Sequence, residues 1–474
     1  MTTPQFLLHP DRLLPPDPET RTIARALYEQ VAQAPLVSPH GHCEASWFAT
    51  NTPFANATEL LVTPDHYVLR MLISQGVSYD ALGVPRADGS RADVDPRDAW
   101  RVFASHYHLF RGTPSRMWLD HALYEVLGVR EAMSVASADQ IYNHINDQLA
   151  SPAFRPRALF DRFNLEILAT TDHATDDLAH HKALKAEGYK GIIPTFRPDA
   201  VTNPLHPAFA ASMAKLGEQA GEDVAVWSGY LSALANRRAY FKALGATATD
   251  HGVVHPTTHD LGSSACQALL DAAHAGSLSA DGAAQFEGQM LFEMARMSVD
   301  DGLVMQIHAG SRRNYAHSVF ERYGPDKGFD IPGPTQWLEN LQPLLNAFGF
   351  EPNFGLILYT LDETTYSREL APLAGAFPAI TLGAPWWYFD SPQGMRRYRD
   401  AVTETAGFYN TAGFVDDTRA LLSVPARHDM YRRVEAGNLA KLVAEHTLSM
   451  EEARALMDDL AVGLARRAYR LDAP

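Results

Sequence analysis

Near the start of the chain stands His40-Gly41-His42, directly after the short apolar run 35–38. In an extended segment alternate side chains point to the same side, so two imidazoles two residues apart can grip one cation. With 20 histidines in 474 residues such a pair also arises by chance, and its weight comes from its place at a strand end, with Gly41 admitting backbone or ligand. Other groups able to move protons or hold anions follow later apolar runs: Asp172 and His173, Arg197, Asp250 and His251, His308 then Arg313, Asp362, Trp386, and Asp417 with Arg419.

The elements that must position them are β-like runs at 35–38, 165–170, 191–196, 246–249, 303–307, 356–361, 379–383 and 412–415. Eight runs, mostly separated by stretches long enough for helices, predict an α/β fold of the (β/α)8 TIM-barrel type, with chemistry at the C-terminal ends of the strands. Residues from about 55 to 160 read as a large helical insertion after the first strand. There Asp95-Pro96 precedes Trp100, Phe103, Tyr107 and Phe110, and Thr113-Pro114 precedes Met117. Asp17-Pro18 before Ile23, Leu27 and Val31 predicts an opening helix. Ser449 with Glu452 predicts a capping box before Leu456, Leu460 and Leu464. No linker or repeat divides the chain, so a single domain over 1–474 is expected.

With 40 Lys+Arg against 56 Asp+Glu, the net charge of −16 opposes nucleic acid and anionic lipid as partners. Two cysteines, Cys43 and Cys266, cannot build a disulfide framework or a Cys-rich metal module. No run approaches the ~20 apolar residues of a membrane span, and the proline-rich first thirty residues hold no signal-peptide core. A soluble cytoplasmic protein acting on a small molecule is expected.

His-x-His after the first run, His308 after the fifth and Asp417 after the eighth resemble the amidohydrolase superfamily. Pro64-Asp65-His66-Tyr67, Phe196-Arg197-Pro198-Asp199, Asp250-His251-Gly252, Arg313-Asn314, Trp386-Trp387 and Asp417-Thr418-Arg419 together resemble its uronate isomerase branch, over roughly residues 20 to 465. The fourth run has no lysine to bridge two metals and the sixth no histidine, which argues against a binuclear hydrolytic centre. The resemblance implies one divalent metal ion, zinc or manganese, on His40, His42 and Asp417.

It further implies a hexuronate substrate, D-glucuronate interconverting with D-fructuronate and D-galacturonate with D-tagaturonate. Moving a carbonyl from C1 to C2 requires a base for the C2 proton, a group that carries a proton between the two oxygens, and stabilisation of an enediolate. Asp417 is the candidate base, acting directly or through a substrate hydroxyl, and His66 and Tyr67 the candidates for the oxygen proton. Arg197, Arg313 and Arg419 are candidates for the substrate carboxylate. Arg197 leads, as a strand-end arginine expected to lack an acidic neighbour in its own turn, while Arg419 could instead orient Asp417. Trp386 is expected to stack on the sugar. Asp250 and His251 either close the barrel as an ion pair or bind hydroxyls, and His308 is either a metal ligand or pocket lining. Two other readings use the same residues, a metal-dependent hydrolase of a sugar lactone or amide and a non-catalytic sugar-acid-binding barrel. A homo-oligomer is compatible with all of them.

Overall fold

The computed structural model describes residues 7–472; residues 1–6 and 473–474, the ends of the domain expected over 1–474, lie outside the described residues. The opening helix Pro18–Val31 is capped by Asp17, which accepts from Thr20 N, and buries Leu27 and Val31. It packs against Leu439, Leu456 and Leu460 near the C-terminus. There the helix Met450–Asp458 begins with the expected capping box of Ser449 and Glu452.

The strands are β1 (Leu36–Ser38), β2 (Leu165–Ala169), β3 (Asp172–His173), β4 (Ile192–Ile193), β5 (Phe196–Arg197), β6 (Ala248–Val253), β7 (Val304–Ala309), β8 (Ser311–Arg312), β9 (Ile331–Pro332), β10 (Leu356–Thr360) and β11 (Ile380–Leu382). The ladders run β1-β2-β4 and β3-β5-β6-β7-β10-β11, every pair parallel. β2 and β3 are halves of one run, as are β4 and β5. Hydrogen bonds from Thr170 N to Ile193 O (2.9 Å) and from Asp172 N to Thr195 O (3.0 Å) carry the pairing across the break. The sheet is therefore visited in chain order, as repeated β/α crossovers require.

β7 and β10 are buried along their whole length because both faces are covered. Val304, Ile357 and Tyr359 point inward, where they meet Ala248, Ala412, Phe414 and, from the C-terminal segment, Tyr469. Met305, Ile307, Leu356 and Leu358 point outward into a core shared with Phe286, Met290 and Met294 of the helix Ala280–Asp301.

The eighth run departs from expectation. Residues 412–415 form no strand; Thr411 alone makes a parallel bridge to Leu382. Gly413 there takes φ +71°, and a β-carbon on it would lie 3.0 Å from Ala465 N, so the chain turns against the C-terminal helix instead of extending a ladder. The two ends of the sheet meet at the rim, where His42 N donates to Thr418 O at 3.0 Å. The fourth and fifth runs also reach further than expected, so that Asp250, His251 and His308 lie within strands.

Between β1 and β2 the named elements from Ala45 to Arg162 are all helices, joined by loops such as 83–95 and 127–137. Asp95 and Thr113 cap the helices Pro96–His106 and Pro114–His121, and Trp100 and Phe103 are buried. These helices share one core with Leu36, Leu165, Leu168 and Ile192 of the sheet, which fixes the helix His66–Ile73 at the rim. No helix among the described residues is long and apolar enough to cross a membrane.

Candidate active site

His40 is buried, and its Nε2 lies 3.4 Å from Asp417 Oδ1; His42 Nε2 reaches the same oxygen at 3.0 Å. Gly41 allows this approach, since a β-carbon on it would sit 3.4 Å from Thr418 O and 3.6 Å from Ala169 O. Asp417 itself adopts φ +41°, a left-handed backbone that a non-glycine residue holds only when its surroundings impose it. Burial pushes the Asp417 carboxyl upward, but His40 and His42 outweigh burial and hold it well below the usual range.

On β7, His308 Nδ1 is 2.6 Å from Asp250 Oδ1. Burial acts to raise the Asp250 carboxyl, yet His308 and Arg197 keep it well below its ordinary value. An ionised Asp250 fixes the proton on His308 Nδ1 and leaves Nε2 with its lone pair. That Nε2 is buried and has no hydrogen-bond partner, and Asp417 Oδ1 has no donor beside it other than the Nε2 atoms of His40 and His42. Ligand atoms of His40, His308 and Asp417 all lie within 4.8 Å of one another. A buried carboxylate oxygen and imidazole nitrogens that converge and have no partners outside their own group fit a divalent cation.

Arg197 differs from expectation. Its Nε donates to Asp199 Oδ2 at 2.9 Å and its Nη1 lies 3.1 Å from Asp250 Oδ2, so two carboxylates already share its charge. The acidic neighbour is two residues away in its own turn, brought back because the helix Asp199–Thr202 starts directly after Pro198. Gly252 leaves room for the guanidinium: a β-carbon there would come within 2.5 Å of Nη2.

His251 is not brought to this group. Asp250 faces the barrel interior, so its neighbour faces out, where His251 Nε2 meets Thr249 Oγ1 at 3.0 Å and burial pushes its pKa down to about 4. It lines a small cavity with Glu287, Met290 and Met294.

The remaining candidates stand at the mouth. Arg313 and Arg419 are 40% and 32% exposed, each beside a loop carboxylate: Asp330 at 3.7 Å and Asp326 at 3.4 Å. Trp386 is buried, edge-on to His308 with ring centroids 4.7 Å apart, while Trp387 (φ +50°) faces His66 and lies under Arg313. The half-buried Trp387, not Trp386, is thus the exposed aromatic face. His66 and Tyr67 open a helix that Asp65 caps through Tyr67 N and Val68 N. Burial, reinforced by Arg419, drives His66 well below its ordinary pKa, and burial followed by the Asp390 charge drives Tyr67 well above its own.

Sequence reasoning missed Asp199, Asp326, Asp330, Asp390 and Arg427. Asp199 was within sight, two residues from Arg197. The others lie on loops and a helix without strand-end context, and no local pattern marks them.

Residues 19–467 match the family model for glucuronate isomerase. The chain belongs to the glucuronate isomerase family. A uronate isomerase of Xanthomonas campestris pv. campestris is 55% identical over 472 residues, 99% of this chain and all of that one. The crystal structure of a glucuronate isomerase from Caulobacter crescentus superposes with TM-score 0.98 at 51% identity, covering 99% of this chain and 98% of that one. A uronate isomerase structure from Thermotoga maritima gives 0.90 at 30% identity, covering 98% and 99%. As a family member the chain is an isomerase of the (β/α)8 class acting on a small molecule, and the converging residues above lie where that fold builds its active sites.

Proposed function

We propose that the chain interconverts aldo- and keto-hexuronates, glucuronate with fructuronate and galacturonate with tagaturonate, by proton transfer through an enediol, with Asp417 as the base at C2. The carrying observation is Asp417: an ionised carboxylate in a strained backbone, its buried Oδ1 approached only by the Nε2 atoms of His40 and His42. A buried carboxylate oxygen held against two imidazole nitrogens and no other donor is an arrangement suited to a cation or to proton transfer. A divalent cation, zinc or manganese, would be held by His40, His42 and Asp417, with the free Nε2 of His308 as a further donor. When bound it would polarise the substrate oxygens.

Around that centre each group has one task. Asp417 takes the C2 proton and returns it to C1. His66, kept neutral by burial, and the Tyr67 hydroxyl carry the proton between O1 and O2. Arg419 and Arg313 pair with the substrate carboxylate, since their loop carboxylates stand further off than those on Arg197. Arg197 instead ties Asp250 to the rim, Asp250 orients His308, and Trp387 offers a ring face to the sugar.

The test is turnover of glucuronate and galacturonate in D₂O by the metal-loaded protein, followed by NMR. Deuterium is expected at C1 of the ketose, because a proton taken by a carboxylate exchanges before it returns. Complete retention of the C2 hydrogen at C1 would assign a hydride shift and remove Asp417 from the role of base.

A further inference from the structure

The Tyr67 hydroxyl is held by a buried partner that the scheme above does not use. It donates to Asp390 Oδ2 at 2.7 Å and lies 3.3 Å from the Trp387 carbonyl oxygen. The same Asp390 oxygen accepts from Arg427 Nη1 at 2.7 Å, and that nitrogen also donates to the backbone carbonyl of Asp416 at 3.2 Å. Asp390 is 6% exposed and Arg427 3%. The guanidinium lies 3.6 Å from the Trp118 ring centroid and 5.3 Å from that of Tyr67. Three distant segments meet here: the insertion helix that starts at His66, the turn after Trp386, and the helix Val424–Ala444.

A buried carboxylate–guanidinium pair is an expensive way to join three segments, because both ions lose their water and apolar side chains of similar volume would do as well. The second Asp390 oxygen, Oδ1, is buried with no partner at all. What the pair achieves that apolar packing would not is a fixed acceptor for one phenol proton. A free hydroxyl rotates to suit whichever acceptor is near; one bound to an anchored carboxylate has its proton and its lone pairs assigned to set directions.

We propose that Asp390, anchored by Arg427, is a positioning residue: it aims the Tyr67 lone pairs at the sugar oxygens, and as the Tyr67 oxygen takes a proton from one of them the phenol's own proton moves to Asp390 Oδ2 and returns when Tyr67 delivers to the other, so Asp390 acts through Tyr67 without touching substrate. This rests on the reading of Tyr67 as a group that handles the oxygen proton. It gives the Asp390–Arg427 pair a part in catalysis beyond holding the insertion to the barrel.

The experiment is a double-mutant cycle on the full metal-loaded chain, comparing wild type, Tyr67→Phe, Asp390→Asn and the double variant, with kcat, KM, metal content and thermal midpoint measured for each. Asp390→Asn is expected to lower kcat about ten- to hundredfold with KM nearly unchanged, and to cause no further loss in the Tyr67→Phe background. Losses that multiply, or that appear in KM rather than kcat, would overturn the proposal. Unchanged kcat in Tyr67→Phe would overturn the reading of Tyr67 itself, whereas loss in Tyr67→Phe with normal turnover in Asp390→Asn would overturn only the role of Asp390. If Asp390→Asn does not fold because Arg427 is left unpaired, Asp390→Asn with Arg427→Gln removes both charges. The same absence of further loss against Tyr67→Phe is then expected, and multiplying losses would again overturn it.

Discussion

Two clusters of buried charge differ in how completely they are satisfied. Between the helices Trp227–Ala243 and Ala280–Asp301, Arg238 donates through Nε to Asp301 Oδ2 (2.6 Å) and through Nη2 to Asp301 Oδ1 and Ser298 Oγ (both 2.9 Å). Nη1 rests 3.8 Å from the Met294 sulfur, and Asp301 Oδ1 also accepts from Leu303 N. At the rim, His308 Nε2 has no hydrogen-bond partner, Asp417 Oδ1 meets only the Nε2 atoms of His40 and His42, and Asp417 sits in a left-handed backbone. The first cluster spends its polar atoms on the fold. The second keeps some in reserve, held in place by neighbours that are themselves fully paired, such as Asp250 between His308 and Arg197.

The largest effects should separate the two. Asp417→Asn is expected to lower kcat by at least about a hundredfold, as losing a general base does, with a thermal midpoint close to wild type. Arg238→Met should do the reverse, costing about 3 kcal/mol of stability through the carboxylate it abandons while the folded fraction keeps its kcat. Chemical denaturation alongside steady-state kinetics checks both, and a large stability loss in Asp417→Asn would erase the distinction.

Next in size comes metal retention. His40→Ala and His42→Ala should empty the site under equilibrium dialysis, and Asp250→Asn, which loosens His308 without removing a nitrogen, should weaken metal binding about 10–100-fold. Metal content unchanged in both histidine variants would remove the cation from this group.

Smaller and more selective is the effect on substrate charge. Arg419→Met should weaken uronates about tenfold relative to neutral aldoses, since it is part-exposed and screened by solvent. Arg197→Met should instead impair both substrate classes alike, because its charge is already committed to Asp199 and Asp250. Comparison of kcat/KM for glucuronate and glucose separates these outcomes, and a uronate-specific loss in Arg197→Met would reverse the assignment.

What the sequence disclosed follows from how local the cause was. Seven of the eight strand positions were legible because a parallel strand covered on both faces reads as a short, mostly apolar or β-branched run, and His40 to His42 marks the end of the first. The helix starts at Asp17, Asp95, Thr113 and Ser449 were legible because a cap is written within four residues. Residues 412–415 look like a strand locally and fail as one because Gly413 turns toward Ala465, fifty residues on. Arg197 looked free although Asp199 stands two residues on, and its other partner, Asp250, lies across a strand where no local pattern shows it. His251 looked like a partner of Asp250 because adjacency in sequence hides opposite faces in a strand. Asp390 and Arg427 act on Tyr67 from more than 300 residues away and carry no pattern of their own.

The smallest expected effect tests the satisfied kind of site by pH. His181, on the helix Ala179–Ala186, is 3% exposed and its Nε2 meets Thr170 Oγ1 at 2.8 Å on the outer face of the sheet. Burial pushes its pKa down to about 4 from an ordinary value of 6.5. The folded state therefore binds fewer protons here than the unfolded chain between pH 4 and 6.5. Its contribution to stability is fully present above pH 6.5 and is lost as pH falls toward 4. Asp172 close by, raised to about 7 by burial, runs the opposite way, its ionisation weakening the fold as pH climbs from 4 toward 7. The two slopes partly cancel in the wild type, so His181→Gln uncovers the Asp172 slope alone. The stability difference between wild type and variant should shift by about 2 kcal/mol in favour of wild type between pH 4.5 and 7, measured by urea unfolding. The pH profile of kcat should be the same in both proteins, because this histidine faces the helices and not the pocket. A displaced kcat profile in His181→Gln would mean that the outer face of the sheet communicates with the rim, and that the division between the two kinds of buried charge is not spatial.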